Sequence, residues 1–138
     1  MFRERIIVDD SLVHTPAGAE LRVRLPWYRA LPLSVIETLE VVIDDVRVDE
    51  QALRIRVNGG CWGIAEARQR WDEVWYVLDD ATVELSGLYL NPASEHRCEV
   101  TLAVRIPYLP VSGRALVVSE RDVKTMPATP LPVEELVP

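Results

Sequence analysis

The stretch Glu99-Val100-Thr101-Leu102-Ala103-Val104-Arg105-Ile106 carries an aliphatic side chain at every second position. Because successive side chains of a β-strand point to opposite faces, this period of two predicts a strand that buries one face. The same alternation recurs at 21–25, 39–43, 53–57 and 83–85, and shorter candidates lie at 6–8, 46–48, 74–78 and 114–119. The sequence therefore predicts eight or nine short strands.

Turn residues separate these strands. Asp44-Asp45 is placed to form a tight hairpin, Asn58-Gly59-Gly60 ends another strand, and Asn91-Pro92-Ala93-Ser94 precedes the long one. A helix is indicated at 64–71 alone, without a strong N-cap. Many short strands with few intervening helices are typical of an all-β, antiparallel β-sandwich.

The chain divides into a β-sandwich domain at residues 1–123 and a proline-rich C-terminal arm at residues 124–138. The arm contains Pro127, Pro130, Pro132 and Pro138. Proline cannot donate a hydrogen bond to a sheet, so we expect an extended arm rather than a strand. Such an arm would pack either on its own domain or on another chain.

Composition excludes several classes of protein. The 138 residues are 49% hydrophobic and 27% charged, which suits one globular domain, and the net charge of −7 disfavours nucleic-acid binding. No apolar run approaches the length of a membrane span, and charges interrupt the N-terminus too early for a signal peptide, so a cytoplasmic location is expected. Cys61 and Cys98 show no spacing typical of zinc sites or disulfide frameworks, and they are expected to be buried free thiols.

Catalytic and metal-ligating patterns are not found. His14 and His96 have no second histidine at metal-ligand spacing. Adjacent carboxylates occur at 9–10, 44–45, 79–80 and 134–135, but neighbouring strand residues face opposite ways, so adjacency does not build an acid–base pair. We therefore expect neither a catalytic residue nor a metal site on this chain.

One phrase occurs twice. Arg24-Leu25-Pro26-Trp27-Tyr28 is echoed by Arg105-Ile106-Pro107-Tyr108. In each copy a proline ends an alternating strand, so the aromatic residues that follow, together with Arg29, are expected in loops. Aromatic and arginine side chains on a stiff backbone are typical anchors of protein interfaces. The alternative is that Trp27 and Tyr108 plug the end of the sandwich core.

A second aromatic set consists of Trp62, Trp71 and Tyr76. These residues are a candidate platform for stacking on a sugar or an aromatic ligand. Trp75, in contrast, fits a core strand.

The segment from Leu25 to Glu37, Leu-Pro-Trp-Tyr-Arg-Ala-Leu-Pro-Leu-Ser-Val-Ile-Glu, resembles the small beta subunit of bacterial C-glycoside deglycosidases. The hairpin at 39–48, the run at 99–108 and the opening Ile7-Val8-Asp9-Asp10-Ser11-Leu12 resemble the same family. The resemblance runs in patches from Ile6 to Pro110 and leaves out the arm. It departs from the family at Asp45, where glycine is expected in the hairpin.

The resemblance implies a non-catalytic β-sandwich that binds a larger alpha subunit in a hetero-oligomeric lyase complex. That alpha subunit is expected to be a TIM barrel similar to sugar isomerases, carrying the catalytic residues and a divalent metal, expected to be manganese. The complex would cleave the carbon–carbon bond between a 3-oxo sugar and an aromatic aglycone such as a flavonoid, with the metal polarising the oxo group. The contact face expected on this chain comprises Arg24, Pro26, Trp27, Tyr28, Arg29, Arg105, Pro107 and Tyr108.

Two other functions remain open at this point. The chain could be a free-standing carbohydrate or aromatic-glycoside binding module that uses Trp62, Trp71 and Tyr76. It could also be a structural homo-oligomer in which the proline-rich arm is exchanged between copies.

Overall fold

The computed structural model describes residues 6–111 and 113–130. Within them lie twelve strands and a single short α-helix, α1 (Ile64–Ala67). The strands are β1 (Val13–Thr15), β2 (Gly18–Val23), β3 (Leu31–Pro32), β4 (Ile36–Ile43), β5 (Val46–Arg47), β6 (Leu53–Val57), β7 (Gly60–Gly63), β8 (Val74–Trp75), β9 (Ala81–Ser86), β10 (Glu95–Val111), β11 (Arg114–Pro127) and β12 (Thr129–Pro130). Two 3-10 helices connect them at Leu33–Val35 and Glu50–Ala52.

The strands form two main sheets and one small one. The larger sheet has the order β12-β1-β2-β9-β6-β7, and the second has the order β11-β10-β4-β5. Strands β3 and β8 pair by themselves. Neighbouring strands are antiparallel except β1 and β12, which run parallel. The prediction of an antiparallel all-β sandwich is therefore confirmed.

One hydrophobic core joins the two main sheets. Val100, Leu102, Val104 and Ile106 are all buried, as the alternation along β10 predicts, and they join a cluster that includes Leu21 and similar residues of the larger sheet. Each large aliphatic side chain fully removed from water contributes about 1.5–3 kcal/mol. The alternation gives each main sheet one apolar face. The two sheets form a sandwich because each covers the apolar face of the other.

Strands β10 and β11 continue to pair with each other past the end of β4, as a two-stranded ribbon. The pairing of β10 with β4 ends at Val104 and Ile36, whereas its pairing with β11 continues to Val111 and Arg114. The register with β11 is interrupted between Ile106 and Pro110. We refer to residues 105–111 and 113–117 as the ribbon.

Several strand predictions need correction. The expected strand at 6–8 is only an isolated bridge between Ile7 and Val23, and the expected strand at 74–78 ends at Trp75. Strand β11 is far longer than the predicted 114–119 because β10 pairs with it along most of its length. The helix predicted at 64–71 is present but stops at Ala67.

The first part of the predicted arm is strand. Residues 124–127 belong to β11, and Thr129 and Pro130 pair with Val13 and His14. Proline fits there because β12 is an edge strand, where a missing N–H can face solvent. Residues 131–138, the rest of the predicted arm, lie outside the described residues.

The N-terminal segment closes the sandwich beside β2 and β11. The backbone N–H groups of Ile6 and Ile7 donate to the Asp122 carboxylate at 3.2 and 3.0 Å, and the N–H of Arg24 donates to the carbonyl of Ile6. These bonds satisfy the buried Asp122 with donors more than a hundred positions away.

In the described part of the chain, no helix has the length and apolar character needed to span a bilayer.

Candidate protein-binding surface

The loop at 24–30 follows β2 and presents the first aromatic phrase at one end of the sandwich. Leu25 is buried and anchors the loop, and Trp27 is half-buried against the core. Tyr28 is 67% exposed, and its ring lies 4.7 Å from the Trp27 ring, centroid to centroid. The Arg29 guanidinium lies 5.9 Å from the centre of the Tyr28 ring, within the range of a cation–π interaction.

The ribbon presents the second aromatic phrase. Pro107 does not end β10, as the sequence predicted; instead, Pro107, Tyr108 and Leu109 form an irregular stretch, and pairing resumes at Pro110. Tyr108 is 45% exposed, and Leu109 and Val117 are exposed as well. The irregularity is the structural consequence of a residue without an N–H inside a ladder.

A hydrogen bond joins the two phrases. Trp27 Nε1–H donates to Tyr108 Oη at 2.6 Å across 81 positions of sequence. Trp27 therefore serves in part as the plug of the core, while Tyr28 and Tyr108 remain exposed beside it. Binding of a partner by Tyr28 and Tyr108 stays a prediction.

The two arginines of the phrases are held by carboxylates of the same chain. Arg105 pairs with Glu37 at 2.5 Å and donates to the carbonyl of Ser34 at 3.3 Å, and Arg24 lies 3.9 Å from Asp80. Each arginine thus forms part of the rim around the aromatic cluster. Their role in binding a partner stays a prediction.

A second loop, at 76–80, lies beside the first and was not identified from the sequence. Val23 pairs with Ala81 and Leu31 pairs with Trp75, so the loops 24–30 and 76–80 are joined at both ends and run side by side. Tyr76, Val77 and Leu78 are exposed on this second loop, and Leu78 reaches 92% exposure. The apolar run of these three residues is the available signal, but its local pattern is also that of a strand.

We call the exposed apolar residues of these three segments the aromatic end surface: Tyr28, Tyr76, Val77, Leu78, Tyr108 and Leu109. Exposed aromatic side chains are enriched at protein interfaces, so this end of the sandwich is a candidate binding surface.

Trp62, Trp71 and Tyr76 show no ring-to-ring contact within the described residues. The Trp62 ring lies over Gly60, whose added Cβ would be 2.3 Å from it, and the Arg70 guanidinium is 5.4 Å from its centre. Much of Trp62 is thus already in contact with its own chain. Trp71 is 77% exposed, and Tyr76 belongs to the aromatic end surface.

The titratable groups serve the fold. His96 is buried between the Asp44 carboxylate and the Asn91 carbonyl. Burial, with a smaller contribution from the charge of Asp44, raises the pKa of the Cys98 thiol to about 12, so this thiol stays protonated. Cys98 is a buried free cysteine as expected, whereas Cys61 is half-buried and lies 3.3 Å from Arg54 Nε.

No cluster of three His, Cys, Asp or Glu side chains suited to a metal ion occurs among the described residues. Of the adjacent carboxylates, the pairs at 9–10, 44–45 and 79–80 lie in turns or loops. The pair at 134–135 lies outside the described residues.

Fold and surface together define a small β-sandwich protein that exposes several aromatic side chains at one end. The chain belongs to the C-glycoside deglycosidase beta subunit family, whose model matches residues 2–108.

Named relatives agree with this assignment. The 3'-dehydrocarminate deglycosidase beta subunit of Microbacterium sp. is 58% identical over 126 residues, which cover 91% of this chain and 95% of the relative. The C-glycoside deglycosidase beta subunit of Microbacterium trichothecenolyticum is 38% identical over 93% of this chain and 98% of its own. One from Arthrobacter globiformis is 33% identical over 91% and 96%. The word "beta" in these names implies an alpha-subunit partner.

Proposed function

We propose that this chain is the non-catalytic beta subunit of a C-glycoside deglycosidase and that it binds and stabilises the alpha subunit of that enzyme. The observation that carries the proposal is the aromatic end surface, held in place by the hydrogen bond between Trp27 and Tyr108. Because Trp27 packs on the core and donates a hydrogen bond to Tyr108, Tyr108 is held in place before binding, which limits the conformational entropy lost on association.

The proposed reaction takes place on the alpha subunit, which the family resemblance suggests is a TIM barrel similar to sugar isomerases. The described residues of this chain form no ligand set for a divalent cation, so the proposal assigns the manganese to the alpha subunit. In the proposed division of labour, this chain supports the barrel and helps to shape the entrance to its active site.

The proposed substrate is a 3-oxo-C-glycoside with an aromatic aglycone. The oxo group at C3 acidifies the C2 proton; removal of that proton forms the C1–C2 double bond, breaks the bond from C1 to the aglycone, and sends the electron pair to the aglycone carbon, which takes up a proton. The relative named for 3'-dehydrocarminate supports a substrate already oxidised at the 3' position.

The proposal also places the protein in the cytoplasm. The two free cysteines favour this location, because reduced thiols persist in reducing compartments.

Coexpression with the alpha subunit from the same genome tests the proposal. The wild-type chain is expected to copurify with that subunit, and the double variant Tyr28→Ala/Tyr108→Ala is expected to raise the dissociation constant at least about tenfold. Tyr89→Ala is the matched control, because Tyr89 is an equally exposed tyrosine in the loop after β9, at the other end of the sandwich. Failure of the wild-type chain to associate would overturn the proposal.

A second candidate function rests on Trp71, whose exposed indole suits stacking on a sugar. A free-standing glycoside-binding module would bind a C-glycoside in calorimetry without any partner, and Trp71→Ala would abolish that binding. Glycoside binding by the isolated chain would favour the module over the subunit.

A further inference from the structure

We propose that the turn at residues 76–79 is a second docking element for the alpha subunit, with Leu78 inserted into an apolar pocket of that subunit. This inference rests on the proposed function and extends its contact face to a segment outside the repeated phrase.

The turn is held rigidly by its own backbone and by the core. The N–H of Asp79 donates to the carbonyl of Tyr76 at 2.9 Å, which closes a four-residue turn. The indole N–H of Trp75, a residue only 1% exposed, donates to the carbonyl of Asp79 at 2.8 Å. The turn is therefore fixed to a buried side chain and does not need to be ordered by a partner.

The residue types at the two central positions of this turn, its corners, are unusual for an exposed turn. Glycine, proline, asparagine and aspartate ordinarily occupy turn corners. Here the corners are Val77 and Leu78, and Leu78 leaves 92% of its surface in water. A rigid turn that projects a leucine gains nothing from it in the isolated chain, whereas a pocket on a partner would remove that surface from water.

The turn is continuous with the contact face proposed above. Pairing of Val23 with Ala81 and of Leu31 with Trp75 keeps the turn alongside the loop 24–30. Asp80 strengthens the connection, since Arg22 donates to its carboxylate at 3.2 Å. A partner that covers Tyr28 would thus reach Leu78 on the adjacent loop.

The described residues nearest the two termini lie away from this turn. Strand β12 ends at Pro130 beside His14 and runs toward the β1–β2 turn, at the end of the sandwich opposite the loop 24–30. Ile7 and Ala81 flank Val23 on opposite sides, so the loop 24–30 separates the start of the described chain from the turn. The occupant we assign to the turn is the alpha subunit, which the names of the relatives imply and which the proposed contact face on the adjacent loop would already bind.

The test compares the full chain and its Leu78→Ser variant for binding to the cognate alpha subunit by calorimetry. Leu78→Ser is expected to raise the dissociation constant at least about tenfold while leaving the thermal midpoint of the isolated chain unchanged. Leu78→Met, which keeps an apolar side chain of similar length, is expected to retain wild-type affinity. Val46→Ser is the matched control, because Val46 is also well exposed but lies at the far end of β4 from the ribbon.

The outcomes separate the two proposals. If Leu78→Ser binds as tightly as wild type while the Tyr28→Ala/Tyr108→Ala variant binds weakly, the docking turn is wrong and the proposed function stands. If the wild-type chain does not bind the alpha subunit, the proposed function fails first. If light scattering shows that the isolated chain dimerises and that Leu78→Ser alone makes it a monomer, the turn binds a second copy and the assignment to the alpha subunit is overturned.

Discussion

The hydrogen-bond partners of the buried His96 side chain favour a positive charge on its imidazole ring. Its Nδ1 lies 2.6 Å from a carboxylate oxygen of Asp44, and its Nε2 lies 2.8 Å from the carbonyl oxygen of Asn91. Both partners accept hydrogen bonds, so both ring nitrogens must carry a proton, and only the imidazolium does so. Burial alone would lower the pKa of His96, but the hydrogen bonds to Asp44 and Asn91 and the charge of Asp44 outweigh it and raise that pKa above 6.5.

This geometry predicts a pH-dependent stability. A raised histidine pKa in the folded state contributes stability that is fully present below pH 6.5 and is lost as pH rises through the folded pKa. The hydrogen bond from His96 and the N–H of Arg97 lower the pKa of Asp44, so its contribution is present above pH 3.8 and disappears in acid. Urea unfolding from pH 6 to pH 9 should therefore show a decline for wild type.

The variant His96→Asn is the comparison for that measurement, because it removes the titrating group and leaves His14 in place. The difference in free energy of unfolding between wild type and variant should shrink as pH rises. Parallel pH profiles for the two proteins would contradict the assignment of a charged His96.

The turn between β4 and β5 contains two aspartates that lie in different surroundings. Asp44 and Asp45 have φ values of 51° and 67°, and they connect the paired residues Ile43 and Val46. Two positive φ values define the mirror-image turn that suits the twist of a hairpin. Asp44 is held there by His96 and by the N–H of Arg97 at 3.0 Å, whereas Asp45 is exposed and makes one ion pair, at 3.6 Å to Arg97.

Asp45→Gly is expected to stabilise the protein by up to about 1 kcal/mol, because glycine adopts a positive φ without the clash of a Cβ and this gain exceeds its greater freedom in the unfolded chain. Asp44→Gly relieves the same backbone strain but deletes the partners of His96 and Arg97, so it should destabilise. Chemical denaturation of both variants provides the measurement. A loss of stability in Asp45→Gly would show that the exposed ion pair outweighs the backbone strain.

The sandwich as a whole is closed by segments from both ends of the chain. Asp122 accepts hydrogen bonds from Ile6 and Ile7, and the N–H of Thr129 donates to the carbonyl of Leu12 at 3.0 Å. Met126 and Ala128 are buried in the same core. Residues 126–130 therefore contribute to the closure of the core.

Truncation after Lys124 is expected to lower the free energy of unfolding by at least about 2 kcal/mol, since it removes the buried Met126 and Ala128 and the pairing of β12. Truncation after Pro130 preserves all of these contacts and is the matched control. Thermal or urea unfolding compares them, and equal stability of the two truncated chains would contradict this account of closure. Light scattering on the chain that ends at Pro130 also tests exchange of the arm between copies without disturbing β11.

The local patterns of the sequence were enough for the strands with clear alternation and for part of the surface. Alternation along Val100 to Ile106 predicts one buried face wherever the strand is placed, and Pro26 followed by aromatic residues predicts a loop, in which Tyr28 is exposed while Trp27 packs against the core. Such patterns encode the direction of each side chain relative to its own backbone. They do not encode which segment lies opposite.

Contacts between distant segments depended on the packed fold. The hydrogen bond from Trp27 to Tyr108 exists because the end of β2 and the ribbon meet when the two sheets cover each other's apolar faces. The local pattern favours a strand that continues through Tyr76, Val77 and Leu78. Trp75, however, is the last residue of this segment that pairs with β3. The chain must turn after it to reach Ala81, which pairs with Val23. A strand needs a neighbour to satisfy its backbone groups, and only the assembled sheets determine where that neighbour ends.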